Sequence, residues 1–316
     1  MDEFELIKKY FAPLERRDNP ALVRNGDDAA VIGVPQGKNI TLSVDTLVEG
    51  VHFLPNASPE MVGFRAAAIN LSDIAAMGAE PCYALLSLVI PNNDEEWLQN
   101  FSSGLGECLD KYNCSLIGGD TARGPLAISL TMVGSVSGYP LTRTGAKVGD
   151  SILVSGTLGD ASGALGILNK APLDAHEKFL IKRYERPLAR INLSMSLLGI
   201  ANSAIDVSDG LLADAGHIAA ASDVGIDLLA SSIPISESLS SVYGEKKALE
   251  FALSGGDDYE LIYTVPNESL AEAYSIAAKE GIKLTKIGIV TDGSRLRCFS
   301  DENQDIALKT KGYKHF

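Results

Sequence analysis

The chain has 316 residues, a formal net charge of −14, and 46% hydrophobic against 22% charged residues. This length exceeds what one hydrophobic core usually supports, so we expect two domains with the composition of an ordinary folded enzyme. The acidic balance argues against nucleic acid or an anionic membrane as a partner, because their phosphate groups would be repelled. A small phosphorylated ligand remains compatible, provided that divalent cations lie between the two sets of negative charge.

Neither targeting nor zinc chemistry is indicated. The first residues are acidic and lack the apolar run of a signal peptide, and no stretch reaches membrane-spanning length, so we expect a cytoplasmic protein with no membrane partner. The four cysteines are scattered without a Cys-x-x-Cys pair, which indicates neither a zinc site nor a disulfide framework.

Apolar periodicity in the first half of the chain predicts a mixed order of helices and strands. A short amphipathic helix is predicted over 3–11, and a turn follows at 25–28. Strands are predicted over 40–44, 83–90, 114–117 and 126–136, and helices over 59–77 and 94–112. The helix over 59–77 is rich in alanine and ends at Gly78, so we expect it to pack closely against its neighbours.

Residues 137–150 are rich in glycine, proline and cations and contain no long apolar run, so we place the domain boundary here. The predicted fold is therefore α/β (α+β), with two mixed α/β domains over 1–138 and 139–316. In the second domain, strands are predicted over 152–154, 204–205, 226–229, 261–265 and 285–290, and helices over 164–168, 177–184, 188–200, 211–221 and 270–280.

Acidic residues recur at the ends of apolar runs. Asp45 follows Ile-Thr-Leu-Ser-Val and Asp120 follows Ser-Leu-Ile-Gly-Gly, which is typical of buried strands that each end in one acid. Carboxylates in such positions can point into a cleft and bind hard cations, and a site with several magnesium ions and phosphate is the simplest result. The blocks are Gly26-Asp27-Asp28, Ser43-Val44-Asp45, Asn70-Leu71-Ser72-Asp73, Gly118-Gly119-Asp120, Asp206-Val207-Ser208-Asp209 and Gly255-Gly256-Asp257-Asp258.

Each block taken alone fits a turn or a helix N-cap, and only their number favours a shared site. The loop Gly156–Gly163 follows a predicted strand, but it matches neither the P-loop pattern nor the dinucleotide-binding pattern. A phosphate-binding turn and a plain tight turn are equally compatible with it. Because the sequence contains no P-loop, metal ions must hold much of the phosphate charge if a nucleotide is bound.

The six blocks, the stretch Val48-Glu49-Gly50-Val51-His52-Phe53 and the ending Gly312-Tyr313-Lys314-His315-Phe316 occur in the order and spacing of thiamine-monophosphate kinases. The chain resembles that family over nearly its whole length. The wider superfamily includes aminoimidazole ribonucleotide synthetase and selenophosphate synthetase, and a single acidic block would not separate its members.

The resemblance implies transfer of the γ-phosphoryl group of ATP to thiamine monophosphate, which gives thiamine diphosphate and ADP. Several Mg²⁺ ions would serve as cofactors, and neither a covalent nucleophile nor a strong general base is expected, because positioning and charge neutralisation are most of what phosphoryl transfer needs. The family's architecture further implies that the first domain forms a homodimer by sheet pairing and that the second closes over the nucleotide.

The resemblance also implies roles for individual residues. The magnesium ligands would be Asp28, Ser43, Asp45, Asp73, Asp120, Asp206 and Asp209. The ATP contacts would be Gly119, Asp120, Arg143 and Ser208, and the thiamine monophosphate contacts would be His52, Asp257 and Tyr313. Without the family pattern, Arg143 would equally be a solvated cation and His52 a partly buried structural residue. Asp257 and Tyr313 stand where some family members have Glu and Trp.

Three rival interpretations differ from this one in testable features. A metal-dependent phosphatase or nucleotide hydrolase would use the same acids but would release ADP without an acceptor. Selenophosphate synthetase is the nearest enzymatic rival, but no reactive cysteine lies near the N-terminus, and the first thiol is Cys82, at the start of the apparent strand that runs to Ile90. A calcium-binding module would need the compact Asp-x-Asp-x-Asp-Gly loop, which the sequence lacks.

Overall fold

The computed structural model describes residues 3–16, 18, 21–23, 29–306 and 312. The chain divides into two compact units, one formed by Met1–Ile74 with Ala79–Pro140 and the other by Ala75–Gly78 with Leu141–Phe316. The sequence placed its boundary after residue 138, within the loop where the chain passes from the first unit to the second.

The first unit is built around a mixed sheet of four strands. Its chain begins with helix α1 (Glu3–Leu6), a π-helical turn (Ile7–Phe11) and a 3₁₀ turn (Ala12–Leu14). The remaining elements are β1 (Lys38–Val48), α2 (Pro59–Ala76), β2 (Glu80–Ile90), α3 (Glu95–Lys111), β3 (Ser115–Arg123) and β4 (Ala127–Ser137). The strand order is β1-β4-β2-β3, in which β2 and β3 are parallel and the other neighbours are antiparallel. Strands β1 and β3 therefore form the two outer edges of this sheet.

Helices α2 and α3 approach each other backbone to backbone. A Cβ atom on Gly63 of α2 would lie 2.1 Å from the carbonyl oxygen of Phe101, and one on Gly104 of α3 would lie 1.9 Å from that of Glu60. Ala66, Ala67 and Ala68 are 0–1% exposed, which confirms the close packing predicted from the alanine-rich sequence. This packing fixes the position of the acidic residues that α2 carries.

The second unit is built around a sheet of six strands. Its elements are β5 (Ser151–Ser155), α4 (Asp160–Leu165), α5 (Ala175–Glu185), α6 (Ile191–Ser196), β6 (Ser203–Asp206), α7 (Leu211–Ser222), β7 (Gly225–Leu229), α8 (Glu237–Tyr243), α9 (Glu245–Ser254), β8 (Leu261–Val265), α10 (Leu270–Lys279), β9 (Leu284–Thr291) and β10 (Leu296–Phe299). The strand order is β10-β7-β9-β5-β8-β6. Among the described strands of this sheet, only β7 and β10 are parallel neighbours. The core of the unit contains Ile152, Val154, Ile205, Ile226 and Ile262.

The predicted α/β class with two mixed units is confirmed. The sequence missed α8 and α9, because α8 is rich in serine and the two helices are separated only by Gly244, whose φ is +74°. It also missed strand β10, and it placed the helix after β5 four residues late, at 164 instead of Asp160. Among the described residues, no helix is long and apolar enough to cross a bilayer. The cytoplasmic location stays a prediction.

Candidate active site

Three of the predicted metal ligands lie together in the first unit. Ser43 and Asp45 are two residues apart on β1, so both side chains point to the same face of the sheet. The hydroxyl of Ser43 donates a hydrogen bond to a carboxylate oxygen of Asp73 on α2. Asp73 is half-buried in a helix whose neighbouring residues are buried. Strand β1 and helix α2 thus present two carboxylates and one hydroxyl to the same place.

The charges in this cluster repel each other. Burial raises the pKa of Asp45 from 3.8 to about 6, and the nearby charge of Asp73 adds to the effect. A divalent cation between the carboxylates would remove this penalty. Carboxylate and hydroxyl oxygens are also the hard donors that Mg²⁺ prefers, so the residues present fit that ion.

Asn70 on α2 holds the backbone of the cluster residue Asp45 through a hydrogen bond. No role was assigned to Asn70 from the sequence. Its side-chain oxygen accepts the backbone N–H of Asp45 at 3.0 Å, and its NH₂ group donates to the carbonyl of Ala66 at 2.9 Å. The residue is 1% exposed. Its place in the middle of a buried alanine-rich helix was the available signal, because a buried amide there must find partners.

Gly119 and Asp120 lie on β3, at the other edge of the same sheet. Asp45 is paired with Leu130, Leu130 with Leu86, and Leu86 with Gly119. Three strand spacings therefore separate β1 from β3, or about 14 Å along the sheet. Within one chain, Asp120 is consequently not a member of the cluster around Asp45.

Gly119 is required at its position by close backbone contact. A Cβ atom there would lie 1.9 Å from the carbonyl oxygen of Leu86, so any other residue would push β3 away from β2. Gly119 and Asp120 are both exposed. The edge of β3 therefore offers an open backbone and a solvated carboxylate.

His52 is half-buried just after β1. Its Nδ1 atom accepts the backbone N–H of Val48 at 3.0 Å, and its own backbone N–H donates to the carbonyl of Val48 at 2.9 Å. Because Nδ1 accepts, the neutral ring carries its proton on Nε2. The turn between Val48 and His52 thus orients the imidazole so that its Nε2 atom is the hydrogen-bond donor.

In the second unit, the block 206–209 forms the end of β6 and the turn into α7. Asp206 is buried at the last position of the strand, whereas Ser208 and Asp209 are half-buried. Asp214, in the first turn of α7, accepts the backbone N–H groups of Asp209 and Gly210 at 3.1 and 3.0 Å. The helix start therefore holds the turn that carries the predicted ligands.

Asp214 and His217 extend this second acidic group and were not assigned from the sequence. Each of Asp209, Asp214 and His217 has one potential ligand atom within 4.8 Å of the others. Burial raises the pKa of Asp214 from 3.8 to about 7, and the charge of Asp209 adds to it. The available signal was spacing, because residues three to four apart on a helix share a face.

Asp257 lies beside the same turn. Its backbone N–H donates to the carbonyl of Ser208 at 2.9 Å, and that of Tyr259 donates to the carbonyl of Val207 at 2.9 Å. A Cβ atom on Gly256 would lie 2.3 Å from the carbonyl oxygen of Ser208, so glycine permits this approach. The structure thus brings the predicted substrate contact Asp257 next to the predicted ATP contact Ser208.

The remaining predicted site residues are placed as follows. Arg143 is exposed in the loop before β5, where its backbone carbonyl accepts the hydroxyl of Ser222 at 3.1 Å. Asp28 and Tyr313 lie outside the described residues. Gly312 is described, and a Cβ atom on it would lie 2.9 Å from the carbonyl oxygen of Asp209. The residue before Tyr313 therefore lies against the Asp209 turn.

The loop Gly156–Gly163 uses its amides internally. The carboxylate of Asp258 accepts the N–H groups of Gly159 at 2.6 Å and Ala161 at 3.3 Å. These are the donors that a phosphate at the start of α4 would need. Of the two interpretations of this loop, the structure favours the tight turn.

Comparison with known proteins gives a consistent picture. Residues 26–136 match the family of AIR synthase related proteins, N-terminal domain, and residues 147–301 match the corresponding C-terminal domain. The thiamine-monophosphate kinase of Escherichia coli (strain K12) is 43% identical over 99% of this chain and 98% of its own length.

Two solved structures are similar over most of the chain. That of thiamine-monophosphate kinase from Stenotrophomonas maltophilia K279a has a TM-score of 0.88 and 41% identity, and the match covers 94% of this chain and 96% of the other. That of AaThiL complexed with AMPPCP and TMP has a TM-score of 0.80 and 36% identity, and it covers 90% and 89%. With this similarity over both units, the chain belongs to the thiamine-monophosphate kinase family of AIR synthase related proteins.

Proposed function

We infer that this protein is a kinase that transfers the γ-phosphoryl group of ATP to thiamine monophosphate, giving thiamine diphosphate and ADP. The relatives carry the name of this activity, and AaThiL has been solved with AMPPCP and TMP. The observation in this chain that carries the inference is the cluster of Ser43, Asp45 and Asp73. A raised pKa for Asp45 beside a second carboxylate is expected for a site that binds a cation near anionic substrates.

We propose that this cluster holds Mg²⁺ in the first unit and that Asp206 and Asp209 do so in the second. Asp28 and Asp120 complete the proposed ligand set. When bound, the metal neutralises the negative charge of both phosphorylated substrates. Asn70 keeps the backbone of Asp45 in place, so that only the side chain of Asp45 has to be ordered when the cation binds.

Substrate contacts are proposed for further residues. His52 would donate from Nε2 to the acceptor phosphate, since its Nδ1 atom is already used by Val48. Asp257 would face the positive thiazolium ring, and Tyr313 would stack on a heterocycle. For ATP, the exposed guanidinium of Arg143 and the backbone at Gly119 are suited to phosphate oxygens, with Ser208 assisting.

We propose that the active protein is a homodimer formed by the first unit. Leu42 and Val44 on the outer strand β1 are 70% and 62% exposed, which is unusual for large apolar side chains in a sheet and typical of an interface. The geometry of the ligands also favours a second copy. Because Asp45 and Asp120 lie on opposite edges of one sheet, pairing between sheets offers a route by which Asp45 of one copy meets Asp120 of the other.

The central experiment incubates the purified protein with ATP, Mg²⁺ and thiamine monophosphate and separates the products. Thiamine diphosphate should form only when all three are present. The variants Asp45→Asn and Asp120→Asn should lose activity by at least about a hundredfold while remaining folded. Glu272→Gln, which changes an exposed carboxyl on α10, is the matched control and should retain activity.

Two results would contradict this proposal. Release of ADP at the same rate without thiamine monophosphate would favour the nucleotide hydrolase. Unchanged rates in both aspartate variants would refute their roles as metal ligands.

A further inference from the structure

The segment 257–259 has an unusual backbone. Asp257 and Tyr259 have φ angles of +72° and +52°, and neither residue is glycine. A left-handed conformation is unfavourable for a residue with a side chain, less so for aspartate than for tyrosine, and here two such residues flank a single position. Such a conformation persists only where the surrounding structure holds it firmly.

Asp258, the residue between them, is the anchor of this segment. It is 1% exposed, and its carboxylate accepts the N–H groups of Gly159 and Ala161 at the start of α4. On either side, the N–H groups of Asp257 and Tyr259 donate to the carbonyls of Ser208 and Val207. The backbone of the segment is therefore fixed to two different elements of the second unit.

The side chains of Asp257 and Tyr259 meet as a consequence of this backbone. The segment lies outside the strands, and its two left-handed residues bend the chain at Asp257 and Tyr259. The hydroxyl of Tyr259 donates to Oδ1 of Asp257 at 3.1 Å. The tyrosine is only 9% exposed, whereas Asp257 is half-buried, so the donor reaches the carboxylate from the protein interior.

We propose that Tyr259 is a positioning residue for thiamine monophosphate, whose hydroxyl orients the Asp257 carboxylate toward the cationic ring of the substrate. This rests on the proposed function, in which Asp257 faces that ring. A carboxylate held by a phenol hydroxyl loses less conformational entropy on binding a cation than one that is free to rotate. A ring that served only to fill space would not need its hydroxyl in this place.

The test replaces the hydroxyl alone. Tyr259→Phe keeps the ring and removes the donor, and Tyr243→Phe is the matched control, because it also removes a tyrosine hydroxyl that donates a hydrogen bond, here to the carbonyl of Gly163 at 2.6 Å. For Tyr259→Phe we expect a rise of roughly tenfold in KM for thiamine monophosphate, with KM for ATP changed less than twofold. Tyr243→Phe should leave both constants within twofold of the wild type.

Asp257→Asn and the double variant Asp257→Asn/Tyr259→Phe separate this inference from the proposed function. We expect Asp257→Asn to raise KM for thiamine monophosphate and the double variant to be no worse than Asp257→Asn alone, because the hydroxyl acts through the carboxylate. If Asp257→Asn has no effect on KM, the proposed substrate role of Asp257 is wrong, and the positioning role is lost with it.

Other outcomes overturn the positioning role alone. These are an effect of Asp257→Asn with none of Tyr259→Phe, additive effects in the double variant, or equal rises in KM for both substrates in Tyr259→Phe. The last result, together with a lower melting temperature, would show that the hydroxyl serves only the stability of the second unit.

Discussion

The buried side chain of Asn70 on α2 accepts the backbone N–H of Asp45 on β1 at 3.0 Å. Strand β1 is an outer strand, so this N–H is offered to a side chain and not to another strand. The contact ties a predicted magnesium ligand to the most buried helix of the first unit. It therefore links the packing of α2 to the geometry of the proposed metal site.

Asn70→Leu should damage both stability and metal binding. The substitution leaves the N–H of Asp45 without its acceptor inside the protein, which costs about 1–3 kcal/mol in the free energy of unfolding. It should also raise the Mg²⁺ concentration needed for half-maximal activity several-fold. Urea denaturation and a magnesium titration measure the two effects.

The control for Asn70 is Asn39→Leu. The side chain of Asn39 also donates to a carbonyl, that of Gly138 at 2.9 Å, but it is exposed. We expect a change below about 0.5 kcal/mol there, because water replaces the lost partner. Equal losses in the two variants would mean that Asn70 is not a special support for Asp45.

Asp45 should destabilise the metal-free protein at neutral pH. The pKa of Asp45 is about 6 in the folded protein against an ordinary value of 3.8, so the folded state binds the proton more tightly. The stability penalty grows as the pH rises from about 4 to about 6 and is constant above that range. In EDTA at pH 7.5, Asp45→Asn should therefore be more stable than the wild type by about 1–2 kcal/mol, after allowance for partial solvent exposure.

This difference should largely vanish at about pH 3, where the carboxyl is mostly protonated in both states. Added Mg²⁺ should reverse the order, since it stabilises the wild type and not the variant. Thermal unfolding at the two pH values, with and without Mg²⁺, gives the result. A variant that is less stable than the wild type in EDTA at pH 7.5 would show that the Asp45 charge is not repelled.

The sequence indicated which acidic residues are candidate metal ligands, but not how far apart they lie in the folded chain. The apolar runs before Asp45, Asp120 and Asp206 predicted that each of these residues lies in or at the end of a strand. This was possible because a buried strand is recognised from a few consecutive apolar residues. The order of the strands depends on long-range pairing, and it is this order that places Asp120 three strands from Asp45.

The sequence also did not predict the backbone conformation at 257–259 or the hydrogen bonds that hold the candidate ligands in place. The positive φ angles at Asp257 and Tyr259 were not indicated by the sequence, because tyrosine rarely adopts such an angle and aspartate, although it does so more often than most residues, does so at few of its positions. They follow from hydrogen bonds to Val207 and Ser208, about fifty positions earlier in the chain. The roles of Asn70 and Asp214 similarly appear only once their backbone partners are known.

Glu260→Gln should strongly destabilise the second unit. The carboxylate of Glu260 is fully buried and accepts hydrogen bonds from Arg183 at 2.9 Å, Arg190 at 2.7 Å and the hydroxyl of Ser155 at 2.5 Å. Burial alone would raise the pKa of Glu260, but the charges of Arg190 and Arg183 outweigh this and hold it below its ordinary value. Removing the negative charge leaves the half-buried guanidinium groups of Arg183 and Arg190 poorly compensated next to a fully buried amide, which costs about 3–5 kcal/mol.

The control for Glu260 is Glu250→Gln, which removes an exposed ion pair with Lys247 of 2.9 Å. A surface pair contributes about 0–1 kcal/mol, so its loss should be small. Urea unfolding followed by circular dichroism compares the two variants. Similar midpoints for both would contradict the view that the Glu260 network stabilises this unit.

Val44→Lys should separate the proposed homodimer. The side chain of Val44 is 62% exposed on outer strand β1 and points to the face opposite to that of Ser43 and Asp45. Burying a lysine there against an apolar partner surface would cost enough to weaken association by about a hundredfold or more, since each factor of ten corresponds to about 1.4 kcal/mol. Leu165→Lys, at an apolar position in the second unit that is 51% exposed, is the control.

Size-exclusion chromatography with light scattering should then give a dimer for the wild type and for Leu165→Lys, and a monomer for Val44→Lys. If Asp120 of one copy completes the site around Asp45 of the other, the monomer should also lose activity, and activity should return as its concentration is raised. A monomeric variant with full activity would show that one chain holds a complete site, and that Asp120 acts apart from Asp45. A wild-type protein that is monomeric at the assay concentration and active would refute the dimer itself.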